Sequence, residues 1–342
     1  MPFQYRQKIP DVQAILDKLP LNPELLELKK KRDREVVDII SGKSKKFLLI
    51  IGPCSADNED AVCEYVDRLS KLQVEVKDRL LLVPRIYTNK PRTTGLGYKG
   101  MGHQPDPNDE PNIVEGILAI RRMHIRAIGE SGLSAADEML YPGNYPYLED
   151  LLTYVAVGAR SVENQEHRLT CSGLGIPVGM KNPTSGDVGV MLNSVRASQA
   201  PHVFVYKGWE VETSGNPFTH AILRGAVSHY GRHFPNYHFE DIVHLRKLYL
   251  ESGLVNPAII VDVSHANSGR DFREQPRVAF EVLNSRRYSQ EAHDIVKGLM
   301  IESYLVEGNQ DVADGVYGKS ITDACLGWED SVRLVHTIAE MV

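Results

Sequence analysis

Phe47-Leu48-Leu49-Ile50-Ile51-Gly52-Pro53-Cys54-Ser55 carries the pattern that separates the candidate architectures for this chain. Its apolar part, Phe47 to Ile51, is too short for a helix and far short of the roughly 18 residues that cross a membrane. Apolar on both faces and stopped by Gly52-Pro53, it reads as a strand buried on both sides, the habit of parallel sheets. An open doubly wound sheet would carry a GxGxxG-type turn after its first strand. This strand instead ends in Gly-Pro-Cys-Ser, and Gly95-Leu96-Gly97-Tyr98-Lys99-Gly100, deep in the loop after the second strand, only approximates that fingerprint.

Further short apolar runs fall at 80–86, 133–139, 154–159, 176–180, 202–206, 258–263 and 299–303. Longer amphipathic segments lie between them, among others 59–77, 113–131, 188–198 and 239–252. About eight strand-then-helix units over roughly 280 residues predict an α/β fold of the (β/α)8 TIM-barrel type. Ahead of it, Leu25, Leu26, Leu28, Val36, Val37, Ile39 and Ile40 recur at helical spacing until Gly42. Residues 1–45 are therefore expected to form an N-terminal helical extension and 46–342 the catalytic barrel.

Composition removes several function classes. With 42% hydrophobic and 25% charged residues the chain is a folded globule rather than a disordered one. A net charge of −6 offers no basic field to nucleic acid or an anionic membrane, so neither is expected as a partner. Met1-Pro2-Phe3-Gln4-Tyr5-Arg6 lacks the basic-then-apolar layout of a secretory signal. Cys54, Cys63, Cys171 and Cys325 form no CxxC pair and no dense framework, which places the chain in a reducing cytoplasm. The apolar N-terminal segment points to a homo-oligomer, a dimer or a tetramer.

The informative residues are those that follow each strand, because in a barrel these positions converge on the C-terminal rim where chemistry is done. Cys54 follows the first strand, Arg85 and Lys90 the second, Glu138 ends the third, and Arg160 follows the fourth. Lys181 follows the fifth, Lys207 the sixth (202–206), and His265 the seventh; Glu302 ends the eighth, with Asp323 in the loop beyond. A lone strand-end Lys or Asp is an ordinary solvated charge; convergence is what gives the set meaning. Cys54, His265, Glu302 and Asp323 offer a thiolate, an imidazole and two carboxylates, the ligand types of a divalent transition metal. Arg85, Lys90, Arg92, Lys99, Arg160, Lys181 and Arg224 concentrate positive charge within an acidic chain, and so imply an anionic substrate carrying phosphate or carboxylate. The long Gly-, Pro- and Thr-rich loop 87–112 suits a functional loop. Thr93 and Thr94 in it could cradle a second phosphate. Cys63, Cys171 and Cys325 read as packing residues.

Taken together, Gly52-Pro53-Cys54-Ser55, Lys90-Pro91-Arg92-Thr93-Thr94, Gly158-Ala159-Arg160, Lys181-Asn182, Asp262-Val263-Ser264-His265-Ala266-Asn267, Glu302-Ser303 and Gly318-Lys319-Ser320-Ile321-Thr322-Asp323-Ala324 resemble the type I 3-deoxy-D-arabino-heptulosonate 7-phosphate (DAHP) synthases, alpha-type subclass. The resemblance covers nearly the whole chain. It implies an aldol-type condensation of phosphoenolpyruvate with erythrose 4-phosphate and water, giving DAHP and phosphate at the entry to aromatic amino-acid biosynthesis. It also implies one divalent ion (manganese, iron, zinc, cobalt or copper, with manganese expected in a crystal) held by Cys54, His265, Glu302 and Asp323. By the same likeness Arg160, Lys181 and Arg224 grip the phosphoenolpyruvate phosphate beside Ala159, while Arg85, Lys90 and Lys181 face its carboxylate. Arg92 and Thr93 take the aldose phosphate, Lys90 donates a proton, Asp323 borders the substrates, and Glu138 orders a water or a cationic partner.

By the same resemblance, the segment 202–215 reads as shorter than in feedback-inhibited members. Positions matching their effector pocket read Tyr145, Gly175 and Tyr206, so weak or absent inhibition by aromatic amino acids is expected. The rival readings are a 3-deoxy-D-manno-octulosonate 8-phosphate synthase and a catalytically silent barrel partner. The Lys90-Pro91-Arg92-Thr93-Thr94 loop argues against the first, and the complete donor and cation set against the second.

Overall fold

The computed structural model describes residues 2–342. Eight parallel strands form one sheet: β1 (Phe47–Gly52), β2 (Leu80–Pro84), β3 (Ala135–Glu138), β4 (Leu152–Val157), β5 (Val178–Lys181), β6 (Thr219–Leu223), β7 (Ile259–Asp262) and β8 (Val296–Glu302). Their spatial order is β2-β1-β8-β7-β6-β5-β4-β3, sequential around a ring. The two ends of that order meet through a parallel bridge between Arg85 and Ala136, with Ile86 N–H donating to Ala136 O at 2.9 Å. This is a (β/α)8 barrel. Four crossover helices start where the sequence supplies a side-chain cap: Asn58, Asn112, Asn164 and Asp187 each accept a backbone N–H three residues on.

The barrel interior is packed rather than hollow. Leu48, Ile50, Leu81, Val83, Tyr154, Ala156, Ile222, Ile260 and Met300 form one buried cluster. Val36, Ile39 and Ile40 of the helix Pro23–Ile40 join that cluster, so the second N-terminal helix plugs the barrel and spends its apolar stripe on its own chain. Gly52 ends β1 so close to β2 that a Cβ would sit 2.3 Å from the Arg85 carbonyl oxygen; no other residue fits there.

One predicted strand is corrected. The run at 202–206 is not in the barrel. Val203–Tyr206 pairs antiparallel with Trp209–Glu212 in an outlying hairpin, with Val203 64% and Val205 77% exposed. The sixth barrel strand is Thr219–Leu223, buried at every position. The β-branched and aromatic run had the stronger strand propensity, but propensity is local, and occupancy of the ring is decided by burial on both faces. No helix among the described residues is long and apolar enough to cross a membrane.

Candidate active site

The C-terminal rim brings together groups more than 200 residues apart. Cys54 Sγ, a Glu302 oxygen and an Asp323 oxygen all lie within 4.8 Å of one another. His265 sets its Nε2 3.9 Å from Glu302 Oε1. Its Nδ1 faces Asp262 at 2.9 Å and the Ser264 hydroxyl at 2.8 Å, which leaves Nε2 as the nitrogen turned to the donor set. The His265 backbone holds φ at 54°, an uncommon conformation for a non-glycine residue that aims the ring.

Electrostatics favour a cation here. Burial, and then the charge of Glu302, push the Cys54 thiol up to about 11. Burial opposes ionisation of Asp323, but Lys90, His265 and Arg270 outweigh it and hold the carboxyl down to about 2. A buried thiol beside two carboxylates is a donor set of mixed softness that suits a divalent transition ion. Lys90 Nζ donates to Cys54 Sγ at 2.8 Å and to Cys54 O at 3.2 Å. Burial works against its charge, and Cys54, Asp323 and Glu302 more than compensate. Arg85 is fully buried. It pairs with Glu302 at 3.0 Å, donates to Pro53 O, and stacks 3.7 Å from the Tyr87 ring centre.

In front of the donors opens a cavity of about 470 Å³. Arg85, Lys90, Arg92, Arg160, Lys181 and Arg224 line it, together with Thr93, Ala159, Glu138, His265 and Asp323. Lys181 and Arg224 are buried, at 3% and 4% exposure, and Arg160 is exposed at the mouth. One Arg224 guanidinium nitrogen, Nη1, is buried without a hydrogen-bond partner, a donor with capacity left for an acceptor. Arg92 fastens its Nε to Tyr98 O at 2.8 Å, leaving its terminal nitrogens to the cavity. Glu138 reaches over Gly158, where a Cβ would stand 2.4 Å from its Oε1.

Two expected cations lie elsewhere. Lys207 follows a hairpin strand, not a barrel strand, and pairs with Glu149 at 3.1 Å in a second cavity, outside the lining of the main one. Lys99 does not line the main cavity; its carbonyl anchors Lys90 N–H at 2.9 Å. Sequence reasoning missed Arg270, Val227 and Ser228, which complete the cavity wall. It also missed Asn236, whose side chain accepts from Gly225 N–H at 2.7 Å and so steadies the turn after Arg224. Arg270 was within reach, since it follows His265 by five residues in the same loop. Cys325 packs on the site, its sulfur accepting from Cys54 N–H at 3.4 Å.

The three positions read as an effector pocket do not share one cavity. Tyr206 lines the second cavity, of about 700 Å³, with Ile9, Leu16, Tyr147 and Trp209. Tyr145 borders a small separate one, and Gly175 is exposed.

Comparison with known proteins agrees with this arrangement. The model of the DAHP synthetase I family matches residues 21–336. The chain is 39% identical over 344 residues to a phospho-2-dehydro-3-deoxyheptonate aldolase of Haemophilus influenzae, a match spanning 98% of this chain and 92% of that protein. It is 38% identical over 348 residues to the Phe-sensitive phospho-2-dehydro-3-deoxyheptonate aldolase of Escherichia coli K12, spanning 99% and 95%. A solved phospho-2-dehydro-3-deoxyheptonate aldolase from Francisella tularensis SCHU S4 superposes with a TM-score of 0.92 at 31% identity, covering 99% of this chain and 98% of that one. The chain belongs to the DAHP synthetase I family and is an enzyme of the kind for which these relatives are named.

Proposed function

We propose that the chain condenses phosphoenolpyruvate with erythrose 4-phosphate and water, giving DAHP and phosphate, with a divalent ion on Cys54, His265, Glu302 and Asp323. The observation that carries this reading is the position of Lys90. Its ammonium touches the metal-type thiol at 2.8 Å and at the same time lines the cationic cavity, so one residue joins both halves of the chemistry. When bound, the ion supplies Lewis-acid polarisation of the aldehyde oxygen. Arg160, Lys181 and Arg224 bind the phosphoenolpyruvate phosphate; Arg85, Lys90 and Lys181 face its carboxylate; Arg92 and Thr93 bind the aldose phosphate beside Asp323. Two polyanions held in reacting geometry repel each other, and buried cations offset that repulsion. As the enol carbon bonds to the aldehyde carbon, Lys90 passes a proton to the aldehyde oxygen. Glu138 orients the water that adds to C2, after which phosphate departs.

The test is phosphoenolpyruvate consumption with erythrose 4-phosphate, before and after a chelator. Turnover that stops on chelation and returns with Mn²⁺ is the expected result; full activity in chelator overturns the metal assignment. Faster turnover with arabinose 5-phosphate would overturn the aldose assignment.

The reading extends to regulation, assembly and location. Feedback inhibition by aromatic amino acids is weak or absent, since Tyr206 adds bulk to the second cavity and Lys207 and Glu149 there satisfy each other at 3.1 Å rather than an amino acid's charged ends. Millimolar phenylalanine, tyrosine or tryptophan should each leave most of the activity; strong inhibition by any of them would refute this. Exposed Phe3, Tyr5 and Trp209 support a homodimer or homotetramer, which light scattering would measure. Four free, buried cysteines support a cytoplasmic setting.

A further inference from the structure

One carboxylate oxygen stands at ion-pair distance from groups on both halves of the rim. Asp262 ends β7 and is fully buried. Its Oδ2 lies 3.0 Å from Lys181 Nζ and 2.9 Å from His265 Nδ1. Its Oδ1 accepts from Ser264 N–H at 3.1 Å and from the Ser264 hydroxyl at 2.7 Å, and its carbonyl accepts from Asn267 Nδ2 at 2.8 Å. The carboxylate therefore has no freedom to serve one neighbour by turning from the other. Lys181 faces the anion cavity, and His265 turns Nε2 to the donor set.

We infer that Asp262 is a positioning residue that couples the cation site to the anion cavity, so that filling either raises affinity at the other. The inference rests on the proposed function, since it takes the ion and phosphoenolpyruvate as the two occupants. A carboxylate behind an imidazole makes the opposite ring nitrogen a better ligand. Here that support is divided, because Lys181 draws on the same oxygen. When His265 Nε2 gives its lone pair to an ion, the ring becomes more positive and draws more of the carboxylate's charge, through space across 2.9 Å to Oδ2 and through the Ser264 hydroxyl to Oδ1. Lys181 is then less neutralised and binds a phosphate or carboxylate more tightly. Run in reverse, a substrate anion that draws Lys181 away returns the carboxylate to His265. Thermodynamic linkage makes the two effects equal in size.

Attraction through space between a divalent ion and a polyanion also gives positive coupling, so the wild type alone does not isolate the contribution of Asp262. Titration calorimetry of Mn²⁺ into the metal-free full chain, with and without phosphoenolpyruvate, separates them when variants are compared. In Asp262→Asn the coupling factor should fall by about fivefold or more. In Lys181→Gln, Mn²⁺ should bind several-fold more tightly without phosphoenolpyruvate, because Oδ2 then backs His265 alone. Arg224→Gln removes another buried cavity cation, one that forms no ion pair with Asp262, and should tighten Mn²⁺ binding distinctly less than Lys181→Gln does. This pair needs no substitution at Asp262, and so decides the matter even if Asp262→Asn fails to fold. Equal tightening in Lys181→Gln and Arg224→Gln would assign the effect to the general field and overturn the inference, as would a loss or no change in Lys181→Gln. A wild-type chain that takes up no Mn²⁺ would remove the metal reading itself, and the inference with it; Mn²⁺ uptake with unaltered coupling in Asp262→Asn removes the inference alone.

Discussion

Arg85, just after β2, and Glu302, at the end of β8, form an ion pair of 3.0 Å across the end of the intervening β1, with side chains 1% and 3% exposed. Neither charge reaches solvent, so each depends on the other. Removing one partner of such a pair strands the other, at a cost of about 3–5 kcal/mol. Arg85→Met is therefore expected to lower the free energy of urea unfolding by an amount of that order, seen as a lower midpoint. Added Mn²⁺ should narrow the gap, because a cation at Glu302 replaces the missing charge. An unchanged midpoint would show that Glu302 is satisfied some other way.

Cys54 contributes the one sulfur among the proposed ligands. Cys54→Ala should keep the wild-type circular dichroism spectrum while Mn²⁺ affinity falls by roughly 100-fold or more. Activity should be lost in parallel. Equilibrium dialysis measures the first and phosphoenolpyruvate consumption the second; a full rate in the variant would remove the thiol from the ligand set.

Asp137 clamps the segment that carries Lys90. Its Oδ1 accepts from Thr88 N–H at 2.9 Å and Glu138 N–H at 2.7 Å, and its Oδ2 from the Thr88 hydroxyl. Burial pushes its carboxyl up to about 7 against those donors. Between about pH 4, where the unfolded carboxyl ionises, and pH 7 the folded chain thus holds the extra proton. The stability associated with that proton is complete below pH 4, is lost as pH rises through this window, and does not change further above it. From pH 5 to pH 8 the contribution should fall by about 2–3 kcal/mol. Asp137→Asn keeps an acceptor for both N–H groups and should be less pH-sensitive than the wild type by that amount in urea unfolding. Identical slopes would mean that Asp137 does not titrate there.

Arg92 is held by Tyr98 O at 2.8 Å while its terminal nitrogens stay free. A charge-assisted hydrogen bond contributes about 1.5–3 kcal/mol, which is roughly 10–100-fold in affinity. Arg92→Ala should raise KM for erythrose 4-phosphate by that factor and leave KM for phosphoenolpyruvate within about twofold of its original value. Equal rises in both constants would place Arg92 in a general field rather than at the aldose phosphate.

Much of this molecule was legible in the sequence by itself. Short two-faced apolar runs located seven of the eight barrel strands, because a buried parallel strand must be apolar at successive positions. Strand-end chemistry then named Cys54, Glu302 and Asp323, since barrel topology sends those positions to one rim. Tertiary structure alone decided between 202–206 and 219–223 for the sixth place in the ring, and so removed Lys207 from the rim. It also decided the hold of Asp262 on both Lys181 and His265, and the entry of Arg270 into the cavity wall. Periodicity and propensity report on neighbours along the chain. Distances between residues 181, 262 and 265, or between 54 and 323, come from closure of the ring and from side-chain rotamers locked by packing, which no local pattern records.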